Sequence, residues 1–190
     1  PNVDVLRPAD PNEVIAAWQQ AIDSVDHPTV LVLTRQKLPV LSRTSKLADA
    51  GVARGGYVVS PQKGMRPSGI LIASGSEVSL AIKAQERLFK LGEDVSVVSM
   101  PSMERFDAQP QNYKVLPPSV RRRTAIEMGS TRGWERYVGL DGTIVGLDEF
   151  GASGAMDDVL ANAGFTVENV VLTFQKTNVT GENHLSAIRL

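Results

Sequence analysis

The first 36 residues constrain this chain most, because they spell one β-α-β unit that cannot cover its own sheet. Val3-Asp4-Val5-Leu6 reads as a short strand. Asp10-Pro11-Asn12-Glu13 opens a helix: Asp10 can cap, proline suits the first helical position, and Glu13 stands where a capping box wants a carboxylate. Val14, Ala17, Trp18, Ala21, Ile22 and Val25 fall on one helical face and predict the side that packs. His27-Pro28 stops the helix, and the apolar run Thr29-Val30-Leu31-Val32-Leu33-Thr34 reads as a buried parallel strand. Two strands and one helix leave a sheet face bare, so the remaining strands are expected on sequence outside this chain or on another chain. The start at Pro1, inside a structural unit, fits an excised piece of a longer protein.

Residues 37–56 mix prolines, glycines and scattered charges with little periodicity, and read as an interdomain linker. A second α/β pattern follows over 57–177. Its expected strands are Tyr57-Val58-Val59, Gly69 to Ser74, Val95 to Val98, Thr124 to Ile126 and Thr143 to Leu147. Ser74 or Ser76 is expected to cap a helix with Val78, Ala81, Ile82, Leu88 and Phe89 inward, ending at Gly92. A short helix over 134–138, one begun by Ser153 and stopped by Gly164, and a last one from Thr166 complete the pattern. This alternation predicts a three-layer α/β/α domain with a mainly parallel sheet of about five strands. One strand is open to antiparallel pairing, since Tyr57 and Gly69 lie close for a crossover. Residues 57–177 have the length for a core of their own, with 1–36 loosely attached. Residues 178–190 turn polar and aperiodic and read as a tail.

Composition narrows the function classes. A hydrophobic fraction of 42% with a formal net charge of −1 predicts a soluble globular protein, with no nucleic-acid surface. No apolar run reaches membrane-span length, and no targeting segment is visible, so a cytoplasmic location is the expectation. Zero cysteines exclude disulfides, thiolate metal sites and cysteine nucleophiles together, while His27 and His184 cannot build a metal site by themselves. Asn178-Val179-Thr180 matches a glycosylation pattern but has no secretory context. Arg121-Arg122-Arg123 lacks flanking aromatic or basic residues and reads as a solvated loop.

Arg35 is the candidate binding residue. It leaves the second strand at its carboxyl end, where open α/β sheets meet ligands, and a guanidinium offers a planar fork of donors to phosphate. The structural alternative is an interdomain ion pair with Asp10 or Glu13. Gly75-Ser76-Glu77 could form an anion nest, but it lacks further fingerprint glycines and a P-loop lysine, which favours plain capping. Phe150-Gly151-Ala152-Ser153-Gly154 is similarly structural. Asp148-Glu149 and Asp157-Asp158 have no histidine or nucleophile beside them and read as surface or helix-start charges. Trp18 and Trp134 sit at apolar helical positions and read as core, and Glu127 follows a buried strand, where capping or inter-strand bonding outweighs a site role.

Leu6-Arg7-Pro8-Ala9-Asp10, Leu33-Thr34-Arg35-Gln36-Lys37-Leu38-Pro39, Gly55-Gly56-Tyr57-Val58, Ala73-Ser74-Gly75-Ser76-Glu77-Val78, Val98 to Asp107 and Asp148 to Gly154 resemble, in order and spacing, the transketolases. The resemblance covers roughly residues 1 to 175. It implies that 1–36 closes the family's pyrimidine-binding domain, that 57–177 is its C-terminal domain, and that Arg35 contacts the terminal phosphate of the sugar substrate. It further implies a homodimeric parent of the pentose phosphate pathway. That parent moves a two-carbon ketol unit from a ketose phosphate, such as xylulose 5-phosphate, to an aldose phosphate. The implied cofactors are thiamine diphosphate and Mg (or Ca). The family's diphosphate-and-metal motif, activating glutamate and channel histidines have no counterpart in these residues. No catalytic, cofactor or metal residue is therefore assigned here, and the isolated chain is expected to be silent. Two alternatives stay open: the matching piece of a deoxyxylulose phosphate synthase or ketoacid dehydrogenase β chain, and a non-catalytic binding or assembly module.

Overall fold

Strands β1 (Asp4–Leu6) and β2 (Thr29–Leu31) pair in parallel, joined by helix α1 (Pro11–Asp23), in the computed structural model, which describes residues 2–113 and 115–177. The α1 start is fixed by local chemistry. Asp10 accepts the Glu13 N–H at 2.9 Å, and Glu13 reaches back to accept the Ala9 N–H at 2.7 Å. The reciprocal bond of a capping box is thus made one residue upstream of the cap.

The second sheet holds β3 (Tyr57–Ser60), β4 (Gly69–Ala73), β5 (Val95–Ser99), β6 (Arg123–Ile126) and β7 (Thr143–Val145) in the order β3-β5-β4-β6-β7. All pairings are parallel except β3 with β5. This is the expected five-stranded sheet, with its first strand antiparallel. Helices α3 (Glu77–Lys90) and α7 (Val167–Gln175) cover one face, where Val78, Ala81, Leu88, Val170 and Phe174 meet Leu71, Ala73, Val97 and Ile126. On the other face Trp134 and helix α5 (Glu135–Val138) pack with Ile70, Ile72, Val98 and Ala125. β4 and β5 are buried at every position, as strands covered on both faces must be.

Several expectations fail. Helix α2 (Thr44–Ala53) lies inside the segment read as linker, and its Ala48 and Val52 pack with Ala16 and Ala17 of α1. Small residues on both helices permit that approach, so α1 buries its Glu13/Ala16/Ala17 side. Trp18 (53% exposed), Ile22 (70%) and Val25 (93%) face outward, against their assignment to the core. The β2 strand is shorter than expected, and Val30, Val32 and Leu33 are exposed, because no further strand among the described residues lies beside it. Phe89 of α3 is exposed too, while Trp134 is buried as expected.

Neither Ser76 nor Ser153 caps a helix. α3 starts at Ser76 without a side-chain cap bond, and α6 (Met156–Asn162) starts after Ala155. Asp10 caps α1 as expected, and Thr166, the expected start of the last helix, caps α7 by accepting the Asn169 N–H at 3.2 Å. A further helix, α4 (Met103–Asp107), is set by Ser102. The arginine triplet is not a solvated loop. Arg121 pairs with Asp141, Arg122 with Glu93, and Arg123 donates to the Val120, Tyr137, Leu116 and Pro117 carbonyls. The proposed tail, with His184 and the Asn178 triplet, lies outside the described residues.

The first unit is not loosely held. Asp4, 3% exposed, accepts from Ser102 Oγ at 3.0 Å and from Arg105. Glu13, fully buried, accepts from Tyr57 Oη and Ser99 Oγ, each at 2.7 Å. A buried carboxylate forfeits hydration, so each of these bonds must be kept for the two parts to stay seated.

Candidate functional site

β1 and β2 run parallel, so both release the chain at the same edge. Arg35 follows β2 within the exposed stretch 32–37 and lines a cleft of about 830 Å³. Across that cleft stand Ser76 and Lys83 of the α3 region, and Ser153 and Asp157 near the start of α6. The fold therefore brings Arg35 together with both glycine-bearing turns noted in the sequence. Lys37 lines the same cleft, whose lining thus holds three cationic side chains (Arg35, Lys37, Lys83), two carboxylates (Glu77, Asp157) and apolar residues that include Leu80, Leu160 and Phe165.

Arg35 forms no ion pair among the described residues. The carboxylates named as its structural partners are engaged elsewhere. Asp10 accepts from Glu13 N, Leu41 N and Thr44 Oγ1, and Glu13 from Ala9, Tyr57 and Ser99. Burial, with no cation in contact, raises the Glu13 pKa, and the three donated hydrogen bonds oppose that rise. Tyr57 is raised as well, by burial and by the neighbouring Glu13 carboxylate.

The Gly75-Ser76-Glu77 turn is closed to an external anion. The Glu77 side chain folds onto it, accepting from Ser76 Oγ and, at 3.2 Å, from the Met128 N–H. The Gly75 N–H is taken by the Arg7 carbonyl at 3.0 Å. Asp148 is exposed and accepts from the Thr131 N–H, Thr131 Oγ1 and Ser130 Oγ at 2.8–3.0 Å, which lowers its pKa and ties a surface turn. Glu127 is 5% exposed and bonds Ser74 Oγ at 2.6 Å and Arg7. His27 pairs with Asp26 on the surface, away from the cleft. Among the described residues no group of three or more His, Cys, Asp or Glu could hold a metal ion.

Arg7 is the residue that sequence reasoning missed. Its signal was the one used for Arg35, an arginine leaving a strand of the same small sheet at the carboxyl edge. Arg7 turns toward the second sheet, against Glu77 and Glu127, whereas Arg35 stays in the open cleft.

Comparison with known proteins fits this layout. Residues 55–166 match the model of the transketolase-like C-terminal domain family. The transketolase of Geobacillus stearothermophilus is 57% identical over 173 residues, and that of Bacillus subtilis (strain 168) 56% over 173; each match covers 90% of this chain and 26% of the relative. A solved Pichia stipitis transketolase, described as a complex with sedoheptulose-7-phosphate, superposes with a TM-score of 0.85 at 40% identity, over 93% of this chain and 25% of that one. The chain thus spans about a quarter of the length of the relatives it matches. It belongs to the transketolase family, of which it carries the C-terminal part.

Proposed function

We propose that this chain is the phosphate-facing and C-terminal portion of a transketolase whose intact form moves a two-carbon ketol unit from a ketose phosphate to an aldose phosphate. The observation that carries this reading is Arg35, set beyond the carboxyl edge of a parallel pair and facing a cleft, with Asp10 and Glu13, the carboxylates of its structural alternative, already engaged elsewhere. A match over 90% of the chain necessarily runs through that position. Its guanidinium has donors to spare for a sugar phosphate, and bidentate donation would fix the far end of the substrate. The described residues do not fit thiamine diphosphate and its Mg (or Ca): among them no group of three or more His, Cys, Asp or Glu could hold the metal, and the Gly75-Ser76-Glu77 turn is filled from within by Glu77. In this reading the cofactor sits on the rest of a cytoplasmic, homodimeric parent. Residues 1–36 close its pyrimidine-binding domain, and 57–177 form its C-terminal domain. This chain's part is to bind and orient phosphate.

The test pairs the intact parent with the isolated chain in a coupled ketol-transfer assay, using xylulose 5-phosphate and an aldose phosphate. Turnover by the parent, with none by the isolated chain and no saturable uptake of thiamine diphosphate plus magnesium in calorimetry, is the expected result. A parent without ketol transfer refutes the assignment, and an active isolated chain refutes the division of labour.

A further inference from the structure

In the second sheet the chain turns back at β4: β5 pairs on one side of it and β6 on the other. A crevice outside the carboxyl ends of β4 and β6 is where an open α/β sheet of this kind takes its ligand. Three side chains gather there: Ser74 just after β4, Glu127 just after β6, and Glu77 in the first turn of α3. Both carboxylates are buried, with 1% of the Glu77 side chain and 6% of the Glu127 side chain exposed. Such a pair excludes a phosphate or a nucleotide and selects a cation.

The cation present is Arg7. One terminal nitrogen lies 3.4 Å from Glu77 Oε2, and the other contacts Glu127 Oε1, so the fork spans the two carboxylates. Ser74 Oγ holds the second Glu127 oxygen at 2.6 Å. Gly75 and Gly129 lie beside the fork: a Cβ on Gly75 would be in ordinary contact with an Arg7 nitrogen at 3.6 Å, and one on Gly129 would stand 3.3 Å from Glu127 Oε1. The Arg7 backbone is clasped as well. Its N–H donates to the Pro101 carbonyl at 2.8 Å, and its carbonyl accepts from Gly75 N at 3.0 Å.

We propose that the C-terminal domain is a guanidinium receptor at this crevice, with Arg7 of the adjoining unit as its resident ligand. The site takes a planar, delocalised cation with two separated edges. Arg7 offers a separate nitrogen to each carboxylate, whereas an ammonium is a single compact point charge, so the site favours guanidinium-like over lysine-like cations. The consequence for the fold is coupling. β1 ends at Leu6, and Leu6 registers with Leu31 of β2, so seating Arg7 fixes the strand pair from which the segment bearing Arg35 departs. The site is independent of what Arg35 binds.

The test is chemical rescue of Arg7→Ala in the full chain. The group this substitution removes is matched by N-ethylguanidinium. The wild-type Arg7 side chain is 26% exposed, and a cavity of about 270 Å³ opens beside it, so a small solute can enter. Arg7→Ala should show a saturable rise in melting temperature with N-ethylguanidinium, of about 3–6 °C at ten times the half-saturating concentration. Wild type, whose site is filled, should show no saturable rise. Propylammonium at equal ionic strength should give none in either protein, and Arg7→Ala/Glu127→Gln should lose the response. If Arg7→Ala does not fold unaided, refolding yield reads the same site, with recovery by N-ethylguanidinium and not by propylammonium as the supporting result. A response shared by propylammonium, one retained in the double variant, or none in either readout overturns the proposal.

Discussion

Replacing Glu13 separates a hydrogen-bonded seat from mere burial. Its carboxylate receives three donors at 2.7 Å: the Ala9 N–H on one oxygen, and Tyr57 Oη and Ser99 Oγ on the other. Glu13→Ala orphans all three in a site with no exposure, and at about 1–3 kcal/mol each the loss is about 3–9 kcal/mol. For a chain of this size that is a drop in Tm of at least about 6 °C. Glu13→Gln fills the same volume. Its amide carbonyl keeps the Ala9 bond while its two N–H groups face the hydroxyl oxygens of Tyr57 and Ser99, so the expected cost is about 1 kcal/mol. The pH dependence is a second handle. Burial raises the folded-state pKa of Glu13, so the folded state holds the proton more tightly than the unfolded chain. The stability this contributes is full below the ordinary glutamate pKa of about 4.3 and is lost as pH rises through the raised value. Wild type minus Glu13→Gln stability must therefore fall with rising pH. Urea melts of the three proteins across pH give both quantities. Equal losses for Ala and Gln, or a difference that grows with pH, would refute the reasoning.

A Cβ on Gly69 would sit 2.4 Å from the Phe174 ring, so Gly69→Ala should destabilise by about 1–3 kcal/mol in denaturant melts, and Phe174→Leu should relieve part of that loss. Limited proteolysis should cut first within residues 32–41, which carry no helix or strand, and should spare α2, whose buried side packs on α1. Trp18→Ser with Ile22→Ser should reduce self-association in size-exclusion chromatography while shifting stability by less than about 0.5 kcal/mol, since both side chains face outward.

Elements with two covered faces were legible in the sequence. β4 and β5 are continuous apolar runs, and α7 combines a capping threonine with Val170, Val171 and Phe174 on one side. Several of the failures trace to residues whose partners lie far away in the chain. The packed face of α1 is chosen by Glu13, which bonds Ser99 86 positions on, and not by its larger apolar residues. Ser74 and Ser76 have good capping chemistry, but Glu127, 53 positions from Ser74, and Glu77 claim their hydroxyls. α2 was obscured by low periodicity, because its buried positions include Thr44 and Gly51 beside Ala48 and Val52. At the candidate site, Arg35 was readable from its place after a strand. The convergence of two distant turns on its cleft was not, because it depends on how the first unit seats on the second sheet. Arg7 carried the same local signal as Arg35, and only the buried carboxylates facing it set the two apart.

The most direct test of the account is a comparison of kcat/KM for a phosphorylated and a phosphate-free ketose donor, in the intact parent and in its Arg35→Ala variant. Hydrogen bonds to a charged group contribute about 1.5–3 kcal/mol, so the variant should lose about 10- to 150-fold on the phosphorylated donor. If phosphate is held equally in ground and transition states, the loss falls mainly on KM. The phosphate-free donor should be used almost as well as by wild type. Equal losses on both donors, accompanied by a lowered Tm, would contradict the account and make Arg35 a structural residue.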